Sequence, residues 1–166
     1  ELMAAMLRVQ LSKLETALGR TRAVKATVLA ELDDAPTHYQ RQMVDDPAGD
    51  CGISLALICH DAGTAQRMAA ALCAEGLGTG AAHREGFPDR HIYRYWDSIL
   101  SKRAWHPGVD PWRHPLYQGS VEYSPEMCPR TLDLLGRTLR FGLNVNMTPD
   151  HGKQIAAAIN KVDRGL

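Results

Sequence analysis

The chain has 166 residues, which suits one domain or one domain with an appendage. Hydrophobic residues make up 45% and charged residues 23%, ordinary globular usage that excludes disorder across the whole chain. Lys and Arg number 19 and so do Asp and Glu, leaving no global field for nucleic acid or an anionic membrane, and no apolar run approaches the ~20 residues of a membrane helix.

Residues 1 to about 33 read as one long helix. Met3, Leu7, Leu11, Leu14 and Leu18 recur at spacings of three and four and form one apolar stripe. No proline interrupts it, and Gly19 is its weak spot before Asp33-Asp34-Ala35-Pro36. A helix of that length outreaches a small domain, which suggests that it docks on something outside the chain. The chain opens at Glu1, already inside the helical pattern, which suggests further sequence upstream.

Residues 34–50 are polar, hold Pro36, Pro47 and Gly49, and read as a connector with room for a short strand. Gly52 to His60 reads as a short strand buried on both faces. Asp61 caps a following helix that turns Ala65, Met68, Ala69, Leu72 and Cys73 inward and stops at Gly76. A second short strand is expected near 79–84. Gly76, Gly78 and Gly80 have no strand before them and no helix after them, so they read as a helix stop and turn, not a phosphate loop.

Residues 85–126 differ in kind. They hold Trp96, Trp105 and Trp112 with most of the tyrosines, and they force little regular structure beyond a short helix near Trp96 to Arg103. His106-Pro107 and His114-Pro115 read as turn-formers. Cys128-Pro129 begins a short helix through Leu135, Thr138 to Val145 reads as a strand, and Thr148-Pro149 starts a last helix with Ile155, Ala158, Ile159 and Val162 inward. The order implies an α/β fold: about three strands with packed helices and the long N-terminal helix, organised as a docking helix at 1–34 and a small domain at 35–166.

Cys51, Cys59, Cys73 and Cys128 form no C-x-x-C pair, and no secretory leader precedes them, so they read as reduced thiols in a cytoplasmic protein. Cys128 stands at a helix start, where the dipole favours a thiolate. With no His or Asp nearby in sequence, it reads as a buried structural thiol. The seven histidines show no H-x-x-x-H spacing and read as structural or surface residues.

Three stretches resemble the C-terminal region of the DegT/DnrJ/EryC1/StrS aminotransferases, fold type I enzymes that use pyridoxal phosphate. Glu1-Leu2-Met3-Ala4-Ala5 with Val9-Gln10-Leu11-Ser12-Lys13-Leu14 is similar to the family's E-L-x-A-A…x-Q-L-x-K-L helix, with Arg20 and Arg22 at its basic positions. Cys128-Pro129-Arg130-Thr131-Leu132-Asp133-Leu134-Leu135-Gly136-Arg137 resembles a C-P-x-T-x-D-L-L-x-R segment. Leu143-Asn144-Val145-Asn146-Met147-Thr148 with the final helix looks like the family's ending. The middle stretch His91-Ile92-Tyr93-Arg94-Tyr95-Trp96-Asp97 resembles one branch of the family.

The resemblance implies the small C-terminal domain of a keto-sugar or cyclitol aminotransferase, supplying substrate-pocket wall and contacts of a homodimer. The lysine that holds pyridoxal phosphate would lie on an N-terminal domain outside this chain. Lys13, Lys25, Lys102, Lys153 and Lys161 do not stand in the family's cofactor-lysine motif, so no cofactor is expected on this chain alone and no catalytic residue is assigned within it. His91, Tyr93, Arg94 and Trp96 are the candidate wall for a sugar or nucleotide sugar: flat rings match sugar faces, while Arg and His donate to hydroxyls, phosphate or carboxylate. Two readings compete with it: a stand-alone, non-catalytic binding or regulatory module with the same fold, and a metal-dependent hydrolase built on the scattered His and Asp.

Overall fold

The computed structural model describes residues 1–84 and 86–166. The expected single N-terminal helix is two helices, α1 (Leu2–Leu11) and α2 (Leu14–Glu31). The break falls at Ser12-Lys13, not at Gly19. The Ser12 hydroxyl donates to the Val9 carbonyl at 2.8 Å, and the Lys13 N–H donates to Gln10. These i−3 contacts compete with the helical ladder, which is why Ser tends to bend or end helices.

Chain contacts divide the molecule into two units, one of residues 1–82 with 137–166 and one of residues 83–136. In the first, a three-stranded antiparallel sheet runs in the order β1 (Tyr39–Arg41), β2 (Ser54–Cys59), β3 (Thr138–Gly142). Leu55 pairs with Phe141, Leu57 with Leu139 and Cys59 with Tyr39. Alternation puts all six on one face, and all six are buried. Ser54, Ala56 and Ile58 on the other face are half-buried, so β2 is closed on one face rather than on both.

The buried face is covered by helices. Val24 and Val28 of α2, Ala65, Met68 and Leu72 of α3 (Ala62–Ala74), and Ile155, Ala156, Ile159 and Val162 of α6 (Pro149–Gly165) join the strand residues in one core. Gly152 lets α6 approach α2 closely: a Cβ there would stand 3.1 Å from the Val24 carbonyl oxygen and from Thr27 Cβ. Local caps agree with the chemistry of the sequence. Asp61 accepts from the Thr64 N–H at 2.8 Å, Gly76 takes φ +85 just past α3, and His151 accepts from the Thr148 N–H at 3.0 Å.

Two expectations fail beside the sheet. Residues 79–84 form no strand; Ala81 makes a single bridge to Leu139. Gly78 and Gly80 contribute no side chain to pack against a neighbour, which weakens strand pairing there. Cys73, expected inward, is exposed on the last turn of α3. The third strand is instead β1, inside the segment read as a connector. It is fixed from a distance: Asp163, buried on α6, accepts from the Thr37 and His38 N–H groups at 2.8 and 2.9 Å.

The second unit has little regular structure: α4 (Asp97–Leu100), α5 (Pro129–Gly136) and single 3-10 turns at Tyr93–Tyr95 and Pro107–Val109. His106 and His114 do form turns, each ring accepting from the backbone N–H two residues on, at 3.0 and 3.2 Å. No helix among the described residues is long and apolar enough to cross a membrane.

Candidate functional site

The segment that carries His91, Tyr93, Arg94 and Trp96 lies in the second unit, where it folds back on its own C-terminal half. Cys128 N–H donates to the Tyr93 hydroxyl at 2.9 Å, and Arg94 pairs with Glu126 at 2.8 Å. Further along, Lys102 pairs with Glu122 at 2.6 Å, and the Trp112 indole N–H donates to the Tyr123 hydroxyl at 3.3 Å. The first three partners, 128, 126 and 122, meet in descending order along the chain and Tyr123 lies beside the third, so side chains close a loop that has no strand ladder. The Trp96 indole N–H donates to the Arg90 carbonyl at 2.7 Å, while the His91 ring is 97% exposed and bonds Asp89.

Each of the four residues therefore has a partner within the second unit. What they keep facing outward is ring surface, on His91 and Trp96, together with an arginine whose partner, Glu126, is itself exposed. Further on, a hollow of about 740 Å³ is lined by Ser98, Arg103, Ala104, Trp105, Val109, Pro111 and Trp112. Its Trp105 is 90% exposed. Aromatic faces and an arginine are the chemistry expected of residues 85–126, so the segment holds a second set of such groups downstream of the four selected by sequence.

The first unit holds a cleft that the sequence did not suggest. It measures about 660 Å³, within the usual range of small-molecule sites, and lies between α2 and the 41–52 segment. Arg22 and Lys25 reach it from one face of α2, Arg41 from the end of β1, and Asp50 from the loop; Ala26, Leu29, Val44 and Pro47 supply apolar wall. The loop is clamped to the helix. The Thr21 hydroxyl donates to the Cys51 carbonyl at 2.7 Å, and Arg22 Nε donates to the Asp50 carbonyl at 2.7 Å.

Gly52 makes the clamp possible. It takes φ +69, and a Cβ there would stand 2.6 Å from the Arg22 nitrogen. Asp50 also bonds the Lys25 ammonium and the Gly52 N–H, which together hold its carboxyl below the usual carboxylate range. Arg41 donates from Nη2 to the Leu32 and Asp33 carbonyls at 2.9 and 2.8 Å, closing the C-terminal end of α2. The one hint in sequence was Arg22 and Lys25 at i and i+3; Arg41 and Asp50 arrive only through the tertiary path.

The thiols are unpaired with one another, and Cys59 alone is buried, where burial pushes it up to about 11. Cys128, expected to be buried, is exposed, because it precedes a short helix whose inward apolar anchor is Leu132. No group of three or more His, Cys, Asp or Glu side chains among the described residues is placed to hold a metal ion.

Lys25, Lys102, Lys153 and Lys161 each pair with a carboxylate, and Lys13 is exposed. Comparison with protein-family models and with curated proteins gives no match for this chain.

Proposed function

We propose that this chain is the C-terminal part of a pyridoxal-phosphate-dependent aminotransferase acting on a keto sugar or cyclitol, with the cofactor and its lysine on a separate N-terminal domain. The observation that carries the reading is α1. Its apolar stripe bears the family-like helix motif, and it has no buried residue: Met3, Leu7 and Leu11 are 71%, 64% and 68% exposed. Burying a Leu is worth roughly 1.5–3 kcal/mol, so such a stripe favours a partner surface. In this reading α1 docks on the cofactor domain or across a homodimer, and His91, Tyr93, Arg94 and Trp96 present ring faces and one cation to the substrate. The cofactor chemistry takes place off this chain.

The test has two arms. The purified chain mixed with pyridoxal phosphate and reduced with borohydride is expected to gain no lysine adduct. Co-expressed with a lysine-bearing domain from the resembled family, it is expected to co-purify with that domain and support amino transfer to a keto sugar, and Leu7→Glu with Leu11→Glu should abolish both. A stoichiometric adduct on the chain alone, or no association with any such domain, overturns the reading. The second reading, a stand-alone binding module, is favoured by one observation: the 660 Å³ cleft is complete within the first unit.

A further inference from the structure

The cleft between α2 and the 41–52 segment has a charge pattern that selects a ligand class. Arg22, Lys25 and Arg41 face one carboxylate, Asp50, so three cations against one anion leave the lining positive by two. Lys25 and Asp50 neutralise each other directly. The excess therefore resides on the two arginines. Arg22 uses only Nε, toward the Asp50 carbonyl, and Arg41 uses only Nη2, toward two carbonyls. Among the described residues, both Nη groups of Arg22 and the Nε and Nη1 of Arg41 have no partner. A guanidinium with free N–H groups is a fork for an oxyanion, and it takes carboxylate or phosphate in two-pronged fashion. Beside the charges lies apolar wall, Ala26, Leu29, Val44 and Pro47, which an inorganic ion would leave unused.

We infer that this cleft binds a small organic oxyanion, an apolar or aromatic body carrying a phosphate or carboxylate head, with Arg22 on the head, the Leu29–Val44 wall on the body and Arg41 adding positive charge from the C-terminal end of α2. The inference does not rest on the aminotransferase reading and holds for either proposed function. Asp50 has a definite part in it. Its charge opposes the ligand's, so the cleft is tuned below its full affinity, and removing that charge should tighten binding. The Gly52 clamp ties the loop to α2 by contacts within the chain, so binding should leave the backbone of α2 unmoved.

The experiment titrates the isotope-labelled full chain with phenyl phosphate, benzoate, inorganic phosphate and neutral benzyl alcohol, following amide and methyl NMR shifts. Phenyl phosphate or benzoate should bind with a Kd of about 1 mM or tighter, as suits a ligand of about a dozen heavy atoms. The shifts should centre on residues 22–29 and 41–52. The stronger of the two names the head group. Inorganic phosphate and benzyl alcohol, each lacking one half of the chemistry, should bind at least about tenfold more weakly.

Arg22→Gln should weaken the organic anion by about tenfold, and Asp50→Asn, which keeps an oxygen for the Gly52 N–H, should tighten it severalfold. The opposite signs separate a binding role from a folding defect, and melting curves of both variants check the fold. The inference is overturned if neither organic anion shifts these residues at about 10 mM. It is equally overturned if benzyl alcohol binds as well, or if Asp50→Asn, folded, binds no tighter.

Discussion

The two units of this chain are held together by different physics. Residues 1–82 with 137–166 enclose a single apolar core of sheet and helices, and their polar contacts bridge long sequence separations: Asp163 to Thr37 and His38, Thr21 to Cys51, Arg164 to Asp33. Residues 83–136 rely on exposed ion pairs, Arg94–Glu126 and Lys102–Glu122, and on histidine-capped turns closed two residues on. A core of interlocked side chains resists local opening, whereas surface pairs of this kind are worth ~0–1 kcal/mol each. The difference teaches where each kind of site belongs. A clamped cleft sits on the first unit, and an adaptable aromatic surface sits on the second.

The sharpest way to break that contrast is Gly52→Ala. The substitution meets the α2 backbone below 3 Å and forces an alanine to φ +69. We expect a loss of about 3–5 kcal/mol, combining backbone strain with displacement of a packed helix. Chemical denaturation should show it as a lower midpoint with an unchanged slope. A stability within about 1 kcal/mol of the parent would mean that the 50–52 clamp yields easily and that the first unit is less rigid than its packing implies.

A smaller effect follows from two buried groups of the same core. Tyr39 is pushed up to about 12 by burial and by Asp163, and Cys59 to about 11 by burial and by Asp61. In the unfolded chain both ionise at their ordinary values, 10.0 and 9.0. Between the two sets of values the folded state keeps protons that the unfolded state has released, so unfolding free energy falls as pH rises. Stability should begin to drop near pH 9, steepen through 10 and level off above 12. Tyr39→Phe should flatten the upper part of that curve. It also removes a buried hydroxyl that has no hydrogen-bond partner among the described residues, so it should cost little at neutral pH. An unchanged alkaline slope in this variant would show that Tyr39 is not part of the closed core.

The same contrast explains what could be read from sequence. Helix ends were legible wherever a neighbouring residue sets them: Asp61, Gly76, and Thr148 with Pro149 all act within a few positions of where they stand. Strands β2 and β3 were legible as apolar runs, though their burial on one face only depends on which helices cover the sheet. Strand β1 was legible only as room for a short strand within 34–50, because Tyr39–Arg41 is short and is ordered by Asp163, more than a hundred residues away. The break at Ser12 rests on a side-chain bond to Val9 that the apolar periodicity masks. Residues 86–126 were correctly read as irregular and aromatic, but the loop-closing partners of Tyr93 and Arg94 lie at 126–128, beyond any local pattern. The cleft was hidden for the same reason: only Arg22 and Lys25 are neighbours on one helix, and Arg41 and Asp50 join them through the fold.

The smallest expected effect, Arg94→Ala, sharpens the comparison from the other unit. Arg94 pairs with Glu126 at 2.8 Å, its side chain 29% exposed and that of Glu126 60% exposed. A pair so open to water contributes within about 1 kcal/mol, so the melting temperature of the whole chain should hardly move. The local consequence is larger in kind. Arg94–Glu126 and Tyr93–Cys128 are adjacent closures of the same loop, and removing one leaves the other to hold it. Amide exchange should therefore quicken around 93–100 and 122–128 and stay unchanged at Leu57, Leu139 and Ile159 in the core of the first unit. Under the proposed aminotransferase reading, in which Arg94 faces a substrate phosphate or carboxylate, the same variant should weaken that substrate some ten- to hundredfold while stability holds. A drop of several degrees in global melting would instead make Arg94 structural. Faster exchange at Leu139 or Ile159 would show that the second unit's surface pairs support the core, and the distinction between the two units would fail.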